Sequence, residues 1–367
     1  MLNRRTLMAL AAGTTMLGFS ATTATAEDVS FEGETVRIIV PFGEGGGSDT
    51  YARTLQVYLA RHLPGEPTVI VENMPGGGSI KGANTFQNAE PDGLTALVAS
   101  TSTFTSAIFG GSAVNYDITS WEPVVLSPQG SVLFAAASTG IADQDPVTAT
   151  QTLATVSHAF GIKSPTASEL RAVAAFNLLG IENINPIFGL SAGERRQSMI
   201  RGEMQLGVEP FSGYSSKVAP YVESGELAFF ATLGFIDADG TVVRDPGMPD
   251  AMTVPEIYEA IHGEAPSGPL WQAYLNFLNM GVMTSKSLNL PAGTSPEIVA
   301  AWRGAIDATL QDAEFLQVSG KVLGPYPQIF GDEAKAAIRG ALDMDEAQRE
   351  WLFAWIEEGM EIGRAHV

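Results

Sequence analysis

Two short stretches carry backbone chemistry. One is Gly43-Glu44-Gly45-Gly46-Gly47-Ser48-Asp49, the other Pro75-Gly76-Gly77-Gly78-Ser79. Each follows an apolar, β-branched run, Thr35–Val40 and Thr68–Asn73, and each precedes a helix-forming stretch. A glycine loop between a strand and a helix aims unpaired N–H groups at one point, and the helix N-terminus adds partial positive charge there. Glycine also removes the Cβ that would keep a ligand off the backbone. Gly43, Gly45, Gly46 and Gly47 with Ser48 therefore form one candidate anion cradle, and Gly76, Gly77 and Gly78 with Ser79 a second. The alternative is that the glycines only make tight turns. Asp49 suits the helix dipole, yet its carboxylate would repel an anion in the same cradle. It either turns away as a cap or accepts a hydrogen bond from a ligand donor. Ser100, Thr101 and Ser102 follow a third apolar run and offer hydroxyls to a ligand, or else cap a helix.

Other chemistries fail on the letters. No lysine follows Gly47, so the phosphate-binding P-loop is absent, and Ser48 stands where a dinucleotide fingerprint needs its third glycine. There is no GxSxG elbow. The chain has no cysteine, which excludes disulfides and thiolate sites, and its four histidines are scattered without metal-ligand spacing. Glu44 and Asp49 flank the first cradle as a conceivable acid/base pair with no distinguishing support. An enzyme is not expected, nor is a cofactor or a metal. Arg195, Arg196 and Arg201 lie on one helical stretch and read as solvated, with a bidentate carboxylate contact as the alternative. Trp351 and Trp355, four apart on a helix, read as core.

The elements that must position the loops follow from periodicity. Tyr51, Leu55, Tyr58 and Leu59 share one helical face, with Ser48 as the expected N-cap. A short helix is expected over 80–89, a turn at Pro91-Asp92-Gly93 and a third strand over 94–100. That order is the start of an α/β unit with a largely parallel sheet. Further strands are expected at 133–137 and 228–233, a loop over 235–253, a helix pair over 295–320 and helices to the end. At 367 residues the chain can hold two lobes with separate cores.

The N-terminus reads as an export signal: Arg4-Arg5, an apolar run from Leu7 to Phe19, and Ala24-Thr25-Ala26 at a cleavage site. The twin arginines favour the Tat route, with Sec as the alternative. The formal net charge is −21, and removal of Arg4 and Arg5 takes it to −23 (−21 − 2). Such a chain is a poor partner for nucleic acid or an anionic membrane. A soluble protein in the periplasm, where nucleotide cofactors are scarce, is expected.

Pro41-Phe42-x-x-Gly45-Gly46-x-x-Asp49-x-x-Ala52-Arg53, then Val71-Glu72-Asn73-x-Pro75-Gly76, then Ala89-x-Pro91-Asp92-Gly93-x-Thr95 occur in this order. Together they resemble the signature of Bug-type receptors, the periplasmic substrate-binding proteins of tripartite tricarboxylate transporters. The resemblance is good over 36–102. Beyond it, Tyr116-Asp117, Trp121-Glu122-Pro123-Val124 and Ser164-Pro165 echo family segments. The family's VPYKGG segment falls at Gly189-Leu190-Ser191-Ala192 here, without its tyrosine or paired glycines, and Met74 replaces a frequent arginine.

The resemblance implies a two-lobed α/β clamshell, each lobe a mixed or parallel sheet flanked by helices. The expected division is a signal peptide over 1–26, lobe 1 over 27–124 and 234–367, and lobe 2 over 125–233. It also implies a small carboxylate ligand, membrane transporter components as partners, and a monomer. It adds Phe42 and Ser164 to the expected ligand contacts. A receptor serving a sensor kinase and a periplasmic enzyme on the same fold are the alternatives.

Overall fold

The computed structural model describes residues 29–237 and 240–360. The export segment expected over 1–26 lies outside them. The strands are, in order, β1 (Thr35–Val40), β2 (Thr68–Asn73), β3 (Thr95–Ser100), β4 (Glu122–Ser127), β5 (Ser131–Ala136) and β6 (His158–Ile162). Then follow β7 (Ile184–Phe188), β8 (Leu206–Pro210), β9 (Leu227–Thr232), β10 (Phe235–Ile236), β11 (Val242–Val243) and β12 (Lys286–Leu290).

The strands build two five-stranded sheets, β2-β1-β3-β12-β4 and β7-β6-β8-β5-β9, and a small β10-β11 hairpin inside the expected 235–253 loop. β1 runs parallel to β2 and β3, while β12 is antiparallel to β3 and β4. The second sheet repeats the scheme: β6 is parallel to β7 and β8, and β5 is antiparallel to β8 and β9. Each sheet is thus mixed and flanked by helices, and the fold class expected from the sequence holds.

The first sheet buries Val36, Ile38 and Val40 against Tyr51, Leu55 and Leu59 of the helix Gly47–His62 and Trp302 of the helix Pro296–Gln311. Each such side chain contributes roughly 1.5–3 kcal/mol on burial, so this face anchors the helix whose N-terminus forms the first cradle. In the second core, Phe160 and Phe176 pack with Tyr274, Phe277 and Leu278 of the helix Gly268–Met283 and with Leu352 and Ile356. The chain after residue 234 therefore supplies both halves: helices 268–283 and 346–360 pack on the second core, while β12 joins the first sheet. β4 keeps the chain in the first sheet to Ser127. Trp351 and Trp355 stack on one another with centroids 6.3 Å apart and pack against the second core. Among the described residues no helix is long and apolar enough to cross a membrane.

Candidate functional site

A cavity of about 580 Å³ lies between the two sheets. Its lining segments are residues 41–48 after β1, 75–79 after β2, 100–101 at the end of β3, 163–171 after β6, 189–195 after β7 and 208–210 at the end of β8. All sit at carboxyl ends of strands, where α/β sheets present their ligands. The exceptions are Ser285 and Lys286, at the amino end of the antiparallel β12, which meets the same edge.

The first glycine loop is held by a network. The Gly45 N–H donates to Asp49 Oδ2 at 2.8 Å. Asp49 Oδ1 accepts from Asn73 Nδ2 at 2.9 Å and Arg53 Nε at 3.0 Å. Asn73 Nδ2 also reaches the Phe42 carbonyl at 3.0 Å, and Arg53 Nη2 donates to Asn73 Oδ1 at 2.8 Å. Burial alone would raise the Asp49 pKa, but the bonds from Gly45, Asn73 and Arg53 prevail and hold it low. Asp49 is therefore an internal strut and is absent from the cavity wall, and Gly45 is turned toward it. Gly43, Gly46, Gly47, Ser48 and Phe42 do line the cavity. Ser48 is not the N-cap: the helix starts at Gly47, the extended residue before it is Gly46, and no side chain caps it.

Gly76, Gly77, Gly78 and Ser79 also line the cavity. Gly78 has φ +69°, and a Cβ there would stand 2.3 Å from Ser164 Oγ, so the second sheet's loop closes directly over it. Ser164 is pinned behind Gly78, outside the wall, with a buried hydroxyl that has no partner among the described residues. Ser79 has φ +123°, a region non-glycine residues avoid. Its hydroxyl is buried and likewise without a partner among the described residues.

Ser100 and Thr101 line the cavity. The Ser100 N–H donates to Thr103 Oγ1 at 3.3 Å, and Thr101 Oγ1 donates to the Gly281 carbonyl at 3.3 Å. Ser102 does not reach the cavity. Its Oγ lies 3.0 Å from Ser168 Oγ and accepts from the Ser168 N–H at 3.1 Å and Lys163 Nζ at 3.4 Å, which staples the two halves together.

The charged part of the wall escaped the sequence reading. Lys163, Glu169, Arg171, Arg195, Glu209 and Lys286 all line the cavity. Arg195 and Arg196 are not solvated: both are buried, Arg195 ion-paired with Glu169 and Arg196 with Glu209 at 2.7 Å. Arg201 is the exposed one, bonded to Glu203. Lys163 also pairs with Glu169. Burial pushes the Glu169 carboxyl up, but Arg195 and Lys163 outweigh it and hold it well below the carboxylate range. Burial lowers Arg171 to about 10, and burial with the Arg171 and Lys163 charges lowers Lys286 to about 7. The other five come from helix starts, a loop and β8, between 77 (286 − 209) and 123 (286 − 163) residues before Lys286, so no local motif marks them. Gly189, Leu190, Ser191 and Ala192 do line the cavity, but the Ser191 hydroxyl is a helix cap, accepting the Glu194 N–H at 3.3 Å. Cationic side chains thus stand in the second-half wall.

No family model matches the chain. Among curated relatives, a UPF0065 protein of Bordetella pertussis is 44% identical over 78 residues, 21% of this chain and 24% of the relative. BugT of the same organism is 37% identical over 87 residues, 23% of this chain and 26% of BugT. A UPF0065 protein of Bordetella bronchiseptica aligns over 63% of this chain and 64% of its own length at 25% identity. Over these stretches the chain is similar to UPF0065 and Bug proteins. The matched stretches span about a quarter of the first of these Bug-family relatives, and under two thirds even of the longest match. In fold, the chain superposes on the periplasmic binding protein BugD with a TM-score of 0.65 at 20% identity, covering 89% of this chain and 97% of BugD. MatC of Rhodopseudomonas palustris, solved with malate, gives 0.61 at 18% identity over 89% of this chain and 98% of MatC.

Proposed function

We propose that this chain is a Bug-family periplasmic solute receptor that binds a small organic carboxylate between its two halves and delivers it to the membrane components of a tripartite tricarboxylate-type transporter. The carrying observation is the cavity of about 580 Å³ whose wall brings together the Gly47–His62 helix N-terminus, the second glycine loop and the Arg171 and Lys286 cations. Such a site holds an anion by fixed dipoles and charges, and it offers no nucleophile–base pair. The ligand contacts are Phe42, Gly43, Gly46, Gly47, Ser48, Gly76–Ser79, Ser100 and Thr101, with the cationic side chains added.

The two lobes, built around the two sheets, close over the ligand, which stabilises the closed form; that form docks on the membrane partner. Related folds support the ligand class: MatC was solved with malate, and another Rhodopseudomonas palustris protein of this fold with adipate. A thermal-shift screen of the exported protein against malate, adipate and citrate tests the reading. A ligand at one hundred times its Kd adds about 2.7 kcal/mol. A melting point that no small carboxylate moves, from a folded sample, sinks it.

A further inference from the structure

We propose that the Lys286 amine captures the carbonyl group of a small solute in the cavity as a reversible imine. The chemistry goes beyond the receptor reading: it needs the cavity and a carbonyl carbon, not a transporter. The chain has six lysines, and their surroundings differ. Lys81, Lys217 and Lys321 are exposed. Lys163 is ion-paired with Glu169, and Lys335 with Glu122 at 2.6 Å. Lys286 is 3% exposed and, among the described residues, has no carboxylate within ion-pair distance. It nevertheless lines the cavity of about 580 Å³.

Three features make this amine a nucleophile. First, its charged form is disfavoured. The ammonium is out of water, and Arg171 and Lys163 repel it. Glu209 pulls the other way, but its carboxylate is held by Arg196. The N-terminus of the helix Gly47–His62 adds partial positive charge beside it. Burial beside other cations is the setting in which a lysine condenses with carbonyl compounds. Second, the amine is held by one bond. Nζ donates to the Ser285 carbonyl at 2.9 Å, which leaves the lone pair of the neutral form for a ligand. Third, there is room. The backbone beside the nitrogen carries no side chain at Gly47, where a Cβ would stand 3.9 Å from Nζ.

The step needs no co-reactant. The lone pair attacks the carbonyl carbon, a C–N bond forms, and the π pair of C=O moves to oxygen. Protons pass from nitrogen to that oxygen, which leaves as water, and C=N remains. Water reverses the step and releases the solute unchanged. The partial positive charge of the helix N-terminus suits the oxygen while it carries negative charge.

The test is reductive trapping. The folded exported protein is incubated with pyruvate and cyanoborohydride near neutral pH, and the modified lysines are assigned by peptide mass mapping. At about pH 7.5 an amine of pKa about 7 is roughly three-quarters neutral, and an ordinary lysine about one part in a thousand. Lys286 should therefore be labelled at least about tenfold faster than Lys81, Lys217 or Lys321. Lys286→Met and the charge-keeping Lys286→Arg should both abolish the cavity adduct while circular dichroism shows the fold intact. Propanal in place of pyruvate reads whether a carboxylate is needed: labelling by both assigns carbonyl compounds in general, and by pyruvate alone 2-oxo acids. Equal labelling of all lysines, labelling of Lys163 instead, or no adduct at Lys286 in the folded parent overturns the proposal. The receptor reading then still stands if malate or adipate raises the melting point. An adduct at Lys286 in a protein whose melting point no carboxylate moves keeps the amine chemistry and removes the receptor reading.

Discussion

Asn73 Nδ2 stands 2.9 Å from Asp49 Oδ1 and also donates to the Phe42 carbonyl at 3.0 Å. One amide thus ties the end of β2 to the loop after β1, and the Asp49 carboxylate holds Gly45 from the other side. Asp49→Ala leaves the Gly45 N–H without its partner and takes from the Asn73 amide and Arg53 the carboxylate they share, and should cost about 2–4 kcal/mol in a urea melt. It should weaken ligand binding as well, because the cradle loses its shape. A melt within about 0.5 kcal/mol of the parent would contradict the strut role.

Gly46 lines the cradle with φ −79°, and a Cβ there would meet only the Gly43 carbonyl at 3.6 Å. Gly46→Ala should therefore fold normally, and Gly46→Leu should fill the site. We expect more than a tenfold loss of carboxylate affinity by titration for leucine, with a melting point within a few degrees of the parent. Retained affinity in the leucine variant would place the ligand elsewhere.

Ser79 holds φ +123° with a buried hydroxyl that has no partner among the described residues. Strain of this kind amounts to roughly 1–3 kcal/mol, part of which a glycine returns in unfolded-chain entropy. Ser79→Gly should raise stability by about 1 kcal/mol and lower ligand affinity about tenfold, because the hydroxyl is lost. A stable variant that binds as tightly as the parent would show the hydroxyl to be idle.

Lys286 gives the protein a pH signature. Its folded pKa lies near 7 and its ordinary value is 10.5, so between these the unfolded chain binds more protons. Stability contributed by this group therefore rises as pH climbs from about 7 toward 10.5. Arg171 and Lys163 push the pKa down, and Glu209 pulls it up. An anion beside the ammonium raises that pKa, so binding takes up a proton within this window and weakens as pH rises through it. Titrations in buffers of different ionisation enthalpy should show proton uptake at pH 8, lost in Lys286→Met. No uptake in the parent would mean that the ligand does not meet Lys286.

Glu169 behaves oppositely. Its folded pKa is depressed below the ordinary 4.5, so its contribution is full above 4.5 and fades as pH falls toward the folded value. Glu169→Gln strands the buried Arg195 and Lys163 charges and should cost about 3–5 kcal/mol at neutral pH. The acid limb of its stability curve, followed by circular dichroism, should be shallower than the parent's. An unchanged limb would deny Glu169 that role.

The backbone part of the site was legible because its signal is local. Gly43, Gly46, Gly76 and Ser79 fall between a β-branched strand and a helix, and the periodicity of Tyr51, Leu55 and Leu59 shows which helix face is buried. A strand–loop–helix unit carries its own geometry, so the letters over 36–102 reveal the cradle. The partner of Asp49 was not decidable there, since a carboxylate in a first turn serves a cap or a ligand equally well.

What the sequence determined by itself is thus the fold class, the two glycine loops and their dipoles, all properties of neighbouring residues. Only the tertiary structure decided which charges line the cavity. Lys286 meets Gly47 because β12 inserts antiparallel beside β3, and Arg195 turns inward because Glu169, 26 positions earlier, waits in the interior. Arginines spaced on a short helix look the same in sequence whether they face water or a buried carboxylate. The difference lies in what the other sheet brings within a few ångströms, where a low dielectric makes one charge matter.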